Sequence, residues 1–201
     1  MEKVGLFFGS FNPIHIGHLA MASYVLQNAR LDKIWFVVSP HNPLKKRSSL
    51  LNNEIRYRLV EAATQDNDKF EVCDIEFSLP TPSYTINTLD CLKAKYADKD
   101  FALIIGGDNL QNFTLWKDYQ RILDNYKIYV YPREGYTSLP SYVLHPSVRV
   151  LDESPYLHIS STFIRTMIQK GQTVKYFVHD RVWEEIEKNN LYKRKNKYFY
   201  A

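Results

Sequence analysis

The sequence predicts a single α/β domain, a doubly wound and mostly parallel sheet with helices on both faces. Three observations point there. Short, nearly continuous apolar runs occur at residues 4–8, 34–38 and 101–105, as expected of strands buried on both faces. Segments of helical period alternate with them. The runs stop at Gly9, Ser39-Pro40 and Gly106-Gly107, turn residues that mark strand ends in open sheets of this kind. No internal repeat or low-complexity segment interrupts the series.

The first run ends at Gly9, a turn carries Asn12-Pro13, and helical period begins near Gly17, with Leu19, Ala22, Tyr24, Val25 and Leu26 recurring at helix spacing. A strand that ends in a glycine turn and opens a helix can hold phosphate. Glycine lets a ligand approach the backbone, and the helix start offers unpaired N–H groups and positive partial charge. The turn also carries His15 and His18, about one helical turn apart. A zinc pair is the competing reading, but no Cys or His cluster elsewhere has ligand spacing.

Residues 34–38 form the second strand, followed by a polar, basic loop at 41–49 on the edge where such sheets bind ligands, with Lys45 as a candidate triphosphate partner. Asn52 or Asn53 caps the next helix, which presents Ile55, Leu59, Val60 and Ala63 to the core and Arg56 and Arg58 to solvent. Residues 70–77 read as a strand. Pro80 and Pro82 then hold the chain extended, and Ser83 or Thr85 caps a helix running to about Tyr96.

The clearest strand, 101–105, leads into Gly106, Gly107 and Asp108. That acid can accept ribose hydroxyls or cap the short helix behind it. Trp116 sits among Thr114, Lys117 and Asp118, which leaves a stacking role open beside a core role. A helix with Tyr119, Ile122 and Leu123 precedes a strand at 128–131 that ends at Pro132-Arg133-Glu134-Gly135. Residues 136–147 read as loop and 148–151 as a strand. Ser160 or Ser161 then caps a helix that Gly171 ends, so hydroxyls and Arg165 again gather at a helix start. The last helix, 180–188, packs through Val182, Trp183 and Ile186.

Composition agrees with a globular domain: 201 residues, 45% hydrophobic and 14% aromatic. No apolar run is long enough to span a bilayer, and the start lacks a signal-peptide pattern, so no membrane partner and a cytoplasmic location are expected. Cys73 and Cys91 suggest neither a metal site nor a disulfide framework. The net charge of +4 is carried by Lys193, Arg194, Lys195 and Lys197 in a stretch without acids, leaving the rest neutral. The division expected is therefore a domain over 1–192 and a basic tail over 193–201. With no basic stripe across the body, nucleic acid is not an expected partner. A homo-oligomer stays open.

The string Gly9-x-Phe11-x-Pro13-x-His15-x-Gly17-His18 resembles the signature of the nucleotidylyltransferase superfamily. Its last four residues also resemble the class I aminoacyl-tRNA synthetase signature, although the chain is too short to add a tRNA-reading domain. Four further patterns extend the resemblance to bacterial nicotinate-nucleotide adenylyltransferases: Pro82-Ser-Tyr-Thr85, Ile104-Ile-Gly-x-Asp108 with Trp116, Arg133-x-Gly135, and Ile159-Ser-Ser-Thr-x-Ile-Arg165.

The resemblance implies a Rossmann-like fold and adenylyl transfer from ATP to nicotinate mononucleotide, with magnesium bound through the ATP phosphates. It implies that Gly9, Ser10 and Phe11 contact phosphates through their backbone and that His15, His18 and Lys45 grip them. Gly106 and Asp108 would line the ribose site, while Ser161, Thr162 and Arg165 would close over ATP. Ser83, Tyr84, Thr85, Trp116 and Arg133 would hold the nicotinate. The chain has Asn12 where the family usually has Asp, and Leu44 where a His commonly precedes the Lys. Phosphopantetheine adenylyltransferase and a non-catalytic nucleotide sensor are the rival readings.

Overall fold

The computed structural model describes residues 1–40, 50–132, 140–155 and 157–193. Expectations for Lys45, Arg133 and the tail beyond Lys193 lie outside these residues. The described residues hold six strands: β1 (Glu2–Gly9), β2 (Lys33–Val38), β3 (Phe70–Cys73), β4 (Lys99–Gly106), β5 (Lys127–Tyr131) and β6 (Val148–Val150). They form one sheet in the order β3-β2-β1-β4-β5-β6, and every pairing is parallel. The chain winds outward from β1 to β3, returns to the middle, and winds the other way from β4 to β6. The strand order therefore reverses between β1 and β4, the place where open sheets of this type leave a crevice.

Seven α-helices accompany the strands among the described residues: α1 (Ile16–Asn28), α2 (Asn53–Thr64), α3 (Thr85–Lys95), α4 (Gly107–Gln111), α5 (Tyr119–Asn125), α6 (Ser161–Gln169) and α7 (Asp180–Lys188). Strand alternation divides the core into two layers. Phe7, Phe36, Val38 and Ile104 pack beneath α1, α2, α6 and α7 with Val25, Val60, Ile164 and Val182. Val4, Leu6, Trp35 and Leu103 face the opposite way, onto Leu89 and Leu92 of α3 and Ile122 of α5. Gly5 leaves room for this packing, since a Cβ there would stand 2.6 Å from Leu31 Cδ1.

Two expectations are corrected. The strand at 70–77 stops at Cys73, and residues Ile75–Ser78 form a 3-10 turn instead. β3 is an edge strand paired only with Ile34–Val37, and beyond that support the chain turns inward to bury Ile75 and Glu76. Arg56, expected on the solvent side of α2, is completely buried, while Arg58 is exposed as expected. The reason is visible in the helix: Arg56 lies on the stripe of Leu59, Val60 and Ala63, and its five donors all find acceptors in the interior.

Candidate active site

A cavity of about 580 Å³ opens at the C-terminal ends of β1 and β4, at the reversal of strand order. One wall is the turn after β1. Phe11 takes a left-handed φ of 43° and turns its ring into the core, against Phe7 and Phe36. A Cβ on Gly9 would lie 2.7 Å from that ring, so glycine is what allows the close approach.

His15 is the N-cap of α1, and its backbone N–H donates to His18 Nδ1 at 3.2 Å. The two imidazoles stack with centroids 3.6 Å apart, and Phe11 meets His18 edge-on at 5.2 Å. Because Nδ1 of His18 accepts, neutral His18 carries its proton on Nε2, where it can donate to a ligand.

The start of α6 closes the same wall. Ser160 caps the helix by accepting from Phe163 N–H at 3.1 Å. Ser161 Oγ donates to Pro13 O at 2.8 Å. Arg165 donates from Nη1 to Asn12 O at 2.8 Å and from Nη2 to Thr162 Oγ1 at 3.2 Å. Asn12 is fixed from below as well, since its Oδ1 accepts from Leu51 N–H at 3.2 Å and from Tyr192 O–H at 3.1 Å.

The far wall is the start of α3. Neither Ser83 nor Thr85 caps it, which corrects the expectation; Tyr84 holds the N-cap position and no side chain accepts there. An uncapped helix start keeps its positive end turned toward a ligand. Trp116, half-buried against Phe113 at 5.3 Å, and Lys117, whose ammonium lies 5.0 Å from the Tyr84 ring centroid, complete this end.

Gly9, Ser10, Phe11, His15, His18, Gly106, Asp108, Ser161, Thr162 and Arg165 thus border the same cavity as Ser83, Tyr84, Thr85 and Trp116. Lys45 and Arg133 lie outside the described residues.

The sequence reading missed Ser39, Glu76 and Lys117, which also line the cavity. Ser39 follows β2 on the ligand-binding edge, and that was its available signal. Glu76 is 2% exposed and accepts Thr88 Oγ1–H at 2.7 Å. Burial pushes its carboxyl above the usual range, against the pull of the Thr88, Ser39 and Ser83 hydroxyls. Its Oε2 and Ser83 Oγ nevertheless stop short of a well-formed bond. No periodicity could have announced this acid.

Comparison with known proteins agrees with the geometry. Residues 6–167 match the cytidylyltransferase-like family model. A nicotinate-nucleotide adenylyltransferase of Flavobacterium johnsoniae is 48% identical over 195 residues, covering 96% of this chain and all of the relative. The chain belongs to the nicotinate-nucleotide adenylyltransferase family. A second member, from Bacteroides fragilis, is 48% identical over 92% of this chain and 90% of its own. Among solved structures, the Plasmodium falciparum nicotinic acid mononucleotide adenylyltransferase complexed with NaAD shares the fold. It has a TM-score of 0.80 at 20% identity, covering 96% of this chain and 98% of that one.

Proposed function

We propose that this enzyme joins ATP to nicotinate mononucleotide, releasing pyrophosphate and forming the dinucleotide used in NAD biosynthesis. The observation that carries the reading is a single cavity with two unlike ends: stacked histidines and the Arg165 helix start on one side, an uncapped α3 with Trp116 on the other.

The chemistry needs no covalent nucleophile from the protein. A phosphate oxygen of the mononucleotide attacks the α-phosphorus of ATP, the new P–O bond forms, and the bond to the departing pyrophosphate breaks. Catalysis is then alignment plus neutralisation of charge on the phosphoryl oxygens. His18 donates from Nε2, with His15 stacked against it to hold the ring. Arg165 adds a charge whose direction is set by its bonds to Asn12 and Thr162. Ser10 and Phe11 offer backbone N–H groups, and Gly106 and Asp108 flank the ribose.

Among the described residues no group of three or more His, Cys, Asp or Glu side chains could hold a metal. Magnesium would come in on the triphosphate, held mainly by phosphates and water, and would there neutralise phosphate charge. Lys45 and Arg133 belong to this account as phosphate and nicotinate partners. The reading also places the enzyme in the cytoplasm; no described helix is long and apolar enough to cross a membrane.

Two measurements test the assignment: product identification with ATP and magnesium, and kcat/KM for nicotinate against nicotinamide mononucleotide. A carboxylate suits the uncapped helix start, whereas an amide would leave buried N–H groups unpaired at about 1–3 kcal/mol each. Preference for nicotinate by orders of magnitude is expected. It persists in Trp116→Ala, which stacks on neither ring and raises KM for both. Comparable kcat/KM values for the two substrates refute the nicotinate assignment.

A further inference from the structure

Arg56 is completely buried and every one of its bonds ends on a neutral oxygen. Nε donates to Leu51 O at 2.9 Å. Nη1 donates to Ser10 O at 2.6 Å and Ser39 O at 2.8 Å, and Nη2 to Asn53 Oδ1 at 2.6 Å and Pro40 O at 3.4 Å. No carboxylate among the described residues pairs with it; the only ionisable group bearing on it is the Tyr192 phenol. Burial draws its pKa down to about 10, which leaves it charged at neutral pH. A buried cation without a counter-ion is expensive, and an apolar or neutral side chain would serve a purely structural role at lower cost.

The placement of its partners indicates what balances the charge. Ser10 and Ser39 both line the cavity, at the ends of β1 and β2. The Gly9 carbonyl is taken by Ser39 N–H at 2.9 Å, and the Ser10 carbonyl by Arg56. In a trans peptide the N–H points opposite to the C=O. With both carbonyls held by the scaffold, the Ser10 and Phe11 N–H groups are turned the other way, and donation to the carbonyl of a peptide strengthens its N–H.

We propose that Arg56 is a positioning residue for phosphate, acting through the Ser10–Phe11 peptide, and that the counter-ion of its buried charge is the polyphosphate of the bound nucleotide. This rests on the adenylyl-transfer reading only in requiring polyphosphate in the cavity; it is independent of the acceptor nucleotide.

The test is calorimetric titration of pyrophosphate and of nicotinate riboside, which carries no phosphate, into the wild type, Arg56→Lys and Arg56→Met, with melting temperatures for each. Arg56→Met should bind pyrophosphate at least tenfold more weakly while nicotinate riboside changes less than threefold. Arg56→Lys, which keeps the charge and loses the fork, should recover a large part of the loss. Equal weakening by Lys and Met overturns the counter-ion role, and equal weakening of both ligands shows a scaffold residue only. In the wild type, which needs no variant to fold, the Arg56 Nε–H resonance should shift on adding pyrophosphate and stay put with nicotinate riboside. An unmoved resonance also overturns the proposal. Wild-type binding of pyrophosphate tests the reading of the cavity, and the differences among variants test Arg56; a wild type that does not bind pyrophosphate overturns both.

Discussion

Replacing Gly9 by alanine separates what positions the site from what holds the fold. The new methyl would meet Phe11 ring carbons at 2.7, 2.7 and 3.0 Å, several tenths of an ångström inside ordinary contact. The ring cannot swing away, because Phe7 and Phe36 pack on it at 5.9 and 5.7 Å and it is 2% exposed. A third ring, that of His18, meets it edge-on at 5.2 Å on the side of the cavity.

Relief therefore pushes Phe11 onto His18 and disturbs the stacked pair. Overpacking of this kind costs about 1–3 kcal/mol, or roughly 2–4 °C of melting temperature per kcal/mol in a chain of this size. A displacement near 1 Å at a reacting group can cost about 10²-fold in rate. Gly9→Ala should thus stay folded at 25 °C and lose between tenfold and a hundredfold in kcat/KM.

Gly5→Ala is the control. It meets Leu31, Ile104 and Ile34 methyls at 2.6–2.9 Å in the core, so it should lower the melting temperature comparably with kcat/KM within threefold of wild type. Steady-state kinetics beside thermal melts decide the matter. If Gly9→Ala is folded and nearly fully active, the Phe11–His18 contact does not place the histidine, and the reasoning fails.

Two other outcomes follow from the same geometry. Arg165→Lys should lose about tenfold or more in kcat/KM, since a point charge cannot bond Asn12 O and Thr162 Oγ1 together as the planar fork does; kinetics matching wild type would leave only a general positive field. Glu76 should tilt stability with pH. Burial raises its folded-state pKa above the unfolded value, so its contribution is complete below the ordinary glutamate range and is lost as pH rises through the raised value. Glu76→Gln, which can still accept from Thr88, should flatten the melting profile from the ordinary glutamate range upward and melt no lower than wild type at the alkaline end. An unchanged slope would mean another group sets it.

Most of the sheet was legible because strands buried on both faces leave continuous apolar runs, as at 34–38 and 101–105. The glycine-histidine turn was legible because its backbone demands and its chemistry coincide in one string. Arg56 was misread although its spacing from Val60 and Ala63 placed it on the buried stripe; residue type was allowed to outweigh position. Two of the carbonyls that make that burial tolerable come from just beyond the ends of β1 and β2, and they are 46 and 17 residues away. Glu76 was hidden for a related reason, since its partner Thr88 belongs to a helix the alternation of residues 70–77 does not foresee. The missing side-chain cap on α3 has a local cause: Ser83 is a good capping residue by type, but the helix begins one residue too late for it, with Tyr84 at the N-cap.

The bond from Tyr192 to Asn12 spans 180 residues. Together with Arg165 on Asn12 and Ser161 on Pro13, it means that the turn after β1 is completed by residues translated long after it. During synthesis at about 5–20 residues per second, β1 and its histidines leave the ribosome roughly ten seconds or more before Tyr192 can reach them. The nascent chain therefore has time to assemble its sheet while the nucleotide site is still open on one side. A premature stop between residues 18 and 192 yields a chain with both signature histidines present and Asn12 lacking the support of Tyr192. Activity in such a protein waits for the segment that carries Tyr192.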